Sequence, residues 1–535
     1  MIEISPSTTA LVIGGIVLIL IIRMIIGYWA SRRVQNNVDY VLAGRRLPLW
    51  MAAPSIMATW FAAETLMGSS AEAYKYGFHG VVFDPFGATM CLVIAGIFVV
   101  RLARRAQYVT IMDFFQHRYG TTMSVVGTVT QIITYFGWTA AQIVAGGAIL
   151  QALLGWPIQT GMILVTTVVT LYTLLGGLWA DTALDFMQMF LTSIGLVVIT
   201  IGIVSSVGGF KNLIEMSGAQ YNSSTFALWP TADDGYYGYY GMHGWFYYIA
   251  AWLSLGLGAI PAQDYLQRTC ASKDENTAVK STFVAAILYL SFGVLSPLIG
   301  VAAFGDAALG PDLEDAQTEF ILVSMAFKFL SPVLAAAFIA ALASALMSTS
   351  DSSLLAGATM FTQNIIKVYK PDLSQKAELQ LTRISLLVSG VLSLAIAMFA
   401  TTIYKLAVLA NTSILVGLAA PYLIGMYWKK ANHWGALASF FGGVISWLIL
   451  TFFWMYSYIL PVVYEGEMMD DVAWDSIYIA STPAFFISVI LLIVVSLLTQ
   501  KQNPPIQLTD INGKPVDTKN VFAWSPSPAE DYIKD

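Results

Sequence analysis

The chain has 535 residues, of which 57% are hydrophobic and 11% charged, and its mean hydropathy is +0.70. Soluble domains carry about 25% charged residues, so the composition argues against an ordinary water-soluble enzyme. The net charge of −6 comes with acidic exterior loops and no basic domain, which excludes nucleic acid as a partner.

Apolar runs recur from end to end, many long enough to cross roughly 30 Å of hydrocarbon as a helix. Lipid offers no partners to the backbone groups of an open sheet, so the expected fold is an all-α membrane protein. About thirteen transmembrane helices are expected, near 8–30, 47–74, 79–101, 121–153, 157–176, 182–207, 242–261, 281–304, 319–350, 382–402, 404–427, 434–457 and 478–499. The first is too long for a cleaved signal and lacks a small-residue cleavage site. If the spans alternate, about 21 of the 26 Lys and Arg fall on one side, among them Arg45, Arg104, Arg268, Lys367 and Lys430. The positive-inside rule then puts the N-terminus outside, the C-terminus in the cytoplasm and the chain in the cell membrane. The tail after Gln500 is polar and proline-rich and is expected to be disordered.

Two spans carry helix-disrupting residues at mid-membrane depth. The second contains Pro54 and Gly68, and the seventh contains Gly256, Gly258 and Pro261. With residues 1–46 set aside as an extra helix and loop, these spans open two five-helix units, 47–207 and 242–427. An exterior loop, 208–241, separates them, and two further helices, 428–499, precede the tail, 500–535. An odd number of spans per unit inserts the second upside down relative to the first. Inverted repeats that begin with a discontinuous helix are common in secondary transporters. Gly and Pro are also simply frequent in membrane helices.

Intramembrane carboxylates are costly, at least ~2.5 kcal/mol each on insertion scales, and are functional by default. Glu64, Asp84, Asp185 and Asp351 are candidates; Asp185 and Asp351 can also be read as end-of-helix groups reaching water. Asp181 follows Gly176-Gly177-Leu178 and reads as the N-cap of the sixth span. Ser344, Ser348, Thr349, Ser352 and Ser353 follow an alanine-rich stretch, several of them on one helix face. Small residues there permit close packing. Hydroxyls opposite carbonyls freed at a helix break also suit a sodium ion.

Several motifs resemble those of the sodium:solute symporter family, which includes proline, sialic acid and galactose symporters and high-affinity choline transporters. They are Gly176-Gly177-Leu178 with Asp185 and Gln188, and Ala345 with Ser348-Thr349 followed by Asp351-Ser352-Ser353. Ala58-Thr59-Trp60 and Ile260-Pro261 with Gln267-Arg268 look most like the choline-transporter branch. The resemblance spans nearly the whole chain and implies a leucine-transporter-like inverted-repeat fold that couples Na⁺ to a small solute by alternating access. It further implies a main Na⁺ site made of the Ala58, Phe61 and Ala345 carbonyls with the Ser348 and Thr349 hydroxyls. A second Na⁺, where a member has one, would use Asp185 and Ser352; here Asp351 stands where other branches have Ser, and Leu184 replaces a Thr. Trp60 and Trp138 match two walls of an aromatic cage whose third wall is Ala262 in this chain, and Asp84 matches a substrate-contacting acid. Together these three imply a pocket for a cation or zwitterion such as choline, betaine or an amino acid. An integral membrane enzyme would need a catalytic cluster that four dispersed histidines do not provide. A transporter-like sensor would need a large output domain, and only about 35 residues follow the last span.

Overall fold

The computed structural model describes residues 5–32, 37–221, 226–231, 235–305, 315–399, 403–456 and 469–518. The described residues are almost wholly helical. Ten helical segments among them are long and apolar enough to cross a membrane, and two shorter apolar helices, Leu49–Ala58 and Ile158–Leu171, accompany them. Large apolar side chains such as Ile25, Phe190 and Ile449 lie more than half exposed on the outside, as a hydrocarbon solvent requires.

Helix α1 is Pro6–Ser31, started by Ser5, whose hydroxyl accepts from Thr8 N, with Pro6 in the first turn. The second expected span is two helices, α2 (Leu49–Ala58) and α3 (Ser69–Tyr76), joined by a break and a wide turn over 59–68. After α4 (Ala88–Phe98) comes α5 (Thr121–Leu154), which stops at Gly155 in the left-handed conformation. The fifth and sixth expected spans remain two helical segments that meet at a sharp, non-helical break at Gly177; the pair, Ile158–Ser206, is labelled α6. There φ is +59°, and a Cβ would meet Tyr40 at 2.6 Å, so the bend needs glycine.

The seventh span is again broken, into α7 (Gly241–Gly256) and α8 (Gln263–Cys270). Helices α9 (Glu275–Gly293) and α10 (Leu295–Gly305) follow. The ninth expected span, 319–350, is displaced. A short helix α11 (Ile321–Phe329) ends first, and α12 runs from Pro332 to Phe361. Ser331 is extended and Pro332 occupies the first turn, as the restriction on a residue before proline dictates. A hydropathy window slides over that junction without registering it. Consequently Ser348, Thr349, Asp351 and Ser352 lie in the middle of a 30-residue helix rather than at its end. The remaining helices are α13 (Gln375–Ala397), α14 (Ile403–Ile414), α15 (Ala420–Tyr427), α16 (His433–Trp454) and α17 (Met469–Leu498).

Helix α12 packs against α1, α5 and α6, while α16 and α17 pair with each other at the periphery. The first part of the tail is not the disordered end expected from its composition. Leu508 is buried, Ile511 N donates to Ala106 O at 3.0 Å, and Arg118 donates to the carbonyls of Ile506, Gly425 and Trp428. Carbonyls at the end of a helix and in an irregular tail lack backbone partners and are good acceptors for a buried arginine. Of the acidic exterior loops expected at Asp306–Asp315 and Glu465–Asp471, residues 306–314 and 465–468 lie outside the described residues, as do residues 519–535.

Candidate functional site: two helix breaks and a buried charge cluster

The first break is not at Pro54, which lies inside α2, but at residues 59–62. In a continuous helix the Ala62 and Ala63 amides would return to Ala58 O and Thr59 O. Instead Ala62 N donates to Trp60 O at 2.9 Å, and Ala63 N donates to Gln142 Oε1 at 3.2 Å. The two carbonyls so released are met by one hydroxyl. Thr349 Oγ1 lies 3.4 Å from Ala58 O and 3.4 Å from Thr59 O.

The second break, 257–262, is held by the same helix that holds the first. Gln131 of α5 donates to Pro261 O, as Gln142 accepts from Ala63 N. Between them on α5 stand Tyr135, whose hydroxyl donates to Asp264 Oδ1 at 2.7 Å, and Trp138, whose Nε1 donates to Glu64 Oε1 at 3.2 Å. Gln142 Nε2 donates to Glu64 Oε2 at 2.8 Å, and Trp60 Nε1 to Asp264 Oδ2 at 3.0 Å. Residues 131, 135, 138 and 142 follow the i, i+4, i+7, i+11 spacing of one helical face. That face serves both breaks.

Asp84 is buried and also tied to the first break. Thr65 Oγ1 lies 2.6 Å from Asp84 Oδ2 and 2.8 Å from Trp60 O, and Tyr289 OH donates to Asp84 Oδ1 at 3.0 Å. Among the described residues, Glu64, Asp84 and Asp264 have no cationic side chain within 4.0 Å. Three carboxylates therefore surround the breaks on neutral donors alone.

A second cluster lies between α6, α8 and α12. Arg268 Nη2 is 2.7 Å from Asp181 Oδ2, 2.6 Å from Ser352 Oγ and 3.6 Å from Asp185 Oδ2, and its Nε donates to Ser55 Oγ at 3.1 Å. Ser348 Oγ is 2.6 Å from an oxygen of Asp181 and 2.6 Å from one of Asp185. Ser55 donates to Asp185 Oδ2 at 2.7 Å and Gln188 to Oδ1 at 3.0 Å. Asp351 accepts from Thr173 at 2.5 Å and lies 3.6 Å from Arg23 of α1.

Of the residues expected at the main ion site, the structure brings Thr349 to the Ala58 carbonyl, with Ala345 one turn earlier on α12. Phe61 sits in the break, its amide donating to Met57 O at 3.2 Å. The Ser348 hydroxyl faces the acidic cluster instead, because its neighbours at that depth are two carboxylates. Asp185 and Ser352 share the Arg268 guanidinium. Asp181, expected as a helix cap, gives its oxygens to Arg268, Ser348 and Ser352. Trp60 and Trp138 are both buried, but their N–H groups go to different carboxylates. The ring beside Trp60 is Tyr265, with centroids 5.5 Å apart, one turn beyond the Ala262 that leaves the cage open. Asp264, Gln131, Tyr135 and Gln142 were not singled out from the sequence. The polar spacing along α5 was the available signal.

Comparison with known proteins agrees with this architecture. Residues 40–443 match the model of the sodium:solute symporter family. Human high affinity choline transporter 1 is 26% identical over 85% of this chain and 79% of its own length. The sodium/pantothenate symporter of Escherichia coli (strain K12) is 27% identical over 84% of this chain and 93% of its own. Among solved structures, a Na⁺-coupled sialic acid symporter in a substrate-bound outward-open state superposes with a TM-score of 0.70 at 20% identity, covering 92% of this chain and 98% of that one. The chain belongs to the sodium:solute symporter family. It is a multi-pass membrane protein with a leucine-transporter-like fold, and membership supports Na⁺-coupled transport of a small solute rather than enzymatic chemistry.

Proposed function

We propose that this member of the family carries a small organic cation or zwitterion into the cell with Na⁺ by alternating access, N-terminus outside and C-terminus in the cytoplasm. The observation that carries the ion site is the Thr349 hydroxyl at 3.4 Å from two carbonyls released by the first helix break. Sodium would bind there, with the Ala58, Phe61 and Ala345 carbonyls and with Ser348 once its hydroxyl leaves the carboxylates. Inward Na⁺ movement supplies about 2.3 kcal/mol per charge per 100 mV, which drives the solute uphill. The inverted units 47–207 and 242–427 would rock about the two breaks.

The solute class follows from charge. Glu64, Asp84 and Asp264 surround the breaks without a cationic side chain in ion-pair range among the described residues, and Trp60 and Trp138 add two aromatic faces. Such a site favours an ammonium and penalises an anion. The choline transporters among its relatives are consistent with this reading; an anionic solute such as pantothenate would be better served by a cation close to these carboxylates, and none lies within 4.0 Å of them among the described residues. Counterflow in proteoliposomes, with and without Na⁺, tests it against choline, betaine, amino acids, sugars and monocarboxylates. Na⁺-dependent exchange of the first three classes is expected. Exchange of sugars or monocarboxylates alone would refute the cation pocket.

A further inference from the structure

We propose that the tail segment 506–517 is a strap that holds the cytoplasmic mouth of the transport path shut and must lift for that mouth to open. The inference rests on the topology and alternating access proposed above, and on neither the ion nor the solute. Its first support is that the tail builds its own structure. Val516 N donates to Leu508 O at 3.0 Å and Asp510 N to Lys514 O at 2.7 Å, which makes a short hairpin. Asp510 Oδ1 accepts from Asn512 N at 2.9 Å and from Lys514 N at 2.8 Å, and Gly513 supplies the left-handed residue with φ of +79°. Asp, Asn and Gly are turn formers, so this stretch folds back on itself where its polar composition reads as disordered.

The second support is what the hairpin joins. It lies against two short helices of the first unit, Val100–Ala106 and Ile111–Tyr119, and the link between them. Ile511 N donates to Ala106 O at 3.0 Å, Tyr108 OH donates to Thr509 O, and Thr509 Oγ1 is 3.1 Å from His117 Nδ1. The same link grips the inner half of the second break. Gln263, the first residue of α8, accepts from Ile111 N at 2.7 Å and donates to Val109 O at 3.2 Å. Arg104 donates at 2.8 Å to Ser272 O, just past the end of α8. The link belongs to the first unit and α8 to the second, so these bonds must part when the units rock. The root of the tail is pinned beside the second unit, where Asn432 donates to Asn503 O at 2.9 Å. Arg118 stitches all three together, donating to Ile506 O in the tail and to Gly425 O in the second unit. The tail thus runs from one unit to the other across the bonds that must part. It is lightly held: Leu508 is buried, whereas residues 511–515 are exposed. Segments with few buried contacts open well before the fold as a whole, which suits a strap and not a core element.

Cys270, the last residue of α8, is fully buried and reports on opening from this side. Its reaction with a membrane-impermeant maleimide is timed in inside-out vesicles carrying the full chain. Ser488→Cys, buried between α16 and α17, serves as a control thiol, and mass spectrometry resolves the two sites. Leu508→Asp expels the apolar anchor, and Gly513→Val strains the turn at a position with nothing within 4 Å of the added Cβ. Each is expected to speed the labelling of Cys270 roughly tenfold, the effect of one or two lost hydrogen bonds on an opening equilibrium, with residue 488 unchanged. Ala106→Cys/Ile511→Cys joins backbones that are already hydrogen-bonded. Oxidised to a disulfide, it is expected to slow Cys270 below wild type, and reduction should restore the rate. Equal Cys270 rates in wild type and both release variants would overturn the strap and leave alternating access standing. A rise at residue 488 that matches the rise at Cys270 would do the same, since it reports a loosened fold. Cys270 unreactive in every folded chain would mean that this mouth does not open, which removes the alternating-access reading and the strap with it.

Discussion

Trp60 Nε1 and Asp264 Oδ2 meet at 3.0 Å, so that a residue in the first helix break is hydrogen-bonded to one just beyond the second. The contact closes a circuit: Asp264 also accepts from Tyr135 on α5, and α5 holds Glu64 of the first break through Trp138 and Gln142. Polar networks of this kind are rigid when every member is satisfied and costly when one is removed. A transporter that rocks one unit against the other must break or carry this circuit as it moves.

Trp60→Phe keeps an aromatic face but deletes the donor, leaving one oxygen of a buried carboxylate without its partner. An unsatisfied buried acceptor costs about 1–3 kcal/mol, more when charged. The variant is expected to unfold several degrees below wild type in detergent and to transport more slowly, with Na⁺ binding retained. Thermal unfolding equal to wild type would mean that the bond contributes nothing to the native state.

Thr349 and Ser348 are adjacent in sequence but face different surroundings. Thr349→Ala removes the hydroxyl that meets the Ala58 and Thr59 carbonyls, and is expected to raise the Na⁺ concentration for half-maximal uptake by roughly tenfold, equivalent to about 1.4 kcal/mol. Ser348→Ala should also weaken Na⁺, and the double variant should raise the requirement further or abolish transport while expression persists. Wild-type Na⁺ dependence in the double variant would mean the ion sits elsewhere.

The membrane helices, the existence of both breaks and the hydroxyl-rich face were legible because they depend on local composition. The position of the first break was not. Pro54 disrupts the helix on paper, yet α2 continues past it, because the break is made by competition for amides: Trp60 O takes Ala62 N and Gln142 takes Ala63 N. Gln142 lies about 80 residues along the chain, and no window reaches it. Arg268 is likewise 87 residues from Asp181, so that a residue counted among the loop charges proves to be buried against the Asp181 carboxylate. The Thr173 and Arg23 partners of Asp351 were hidden for the same reason.

The one-sided distribution of Lys and Arg makes a topological prediction that needs no substrate. The natural cysteines, Cys91 and Cys270, are both fully buried, which leaves a quiet background for labelling. Ser7→Cys should react with a membrane-impermeant maleimide on intact cells, and Lys514→Cys only after permeabilisation. Both positions are exposed. Labelling of the two from the same side would rule out an odd number of spans and the inverted units with it.

Arg23 and Asp351 join the extra helix α1 to α12, with Arg23 Nη2 3.6 Å from Asp351 Oδ2 and both side chains almost wholly buried. Removing one partner of such a pair strands a charge and costs about 3–5 kcal/mol, whereas replacing both by apolar groups is often neutral or stabilising. Thr173, which donates to Asp351 at 2.5 Å, also lies 2.8 Å from Val169 O, so it keeps an acceptor if the carboxylate is lost. Arg23→Met and Asp351→Leu are each expected to lower the unfolding temperature of the detergent-solubilised protein substantially. The double variant should recover most of that loss, giving a strongly non-additive cycle. If the two losses simply add, the residues do not act as a pair, and α1 is held to α12 by apolar packing alone.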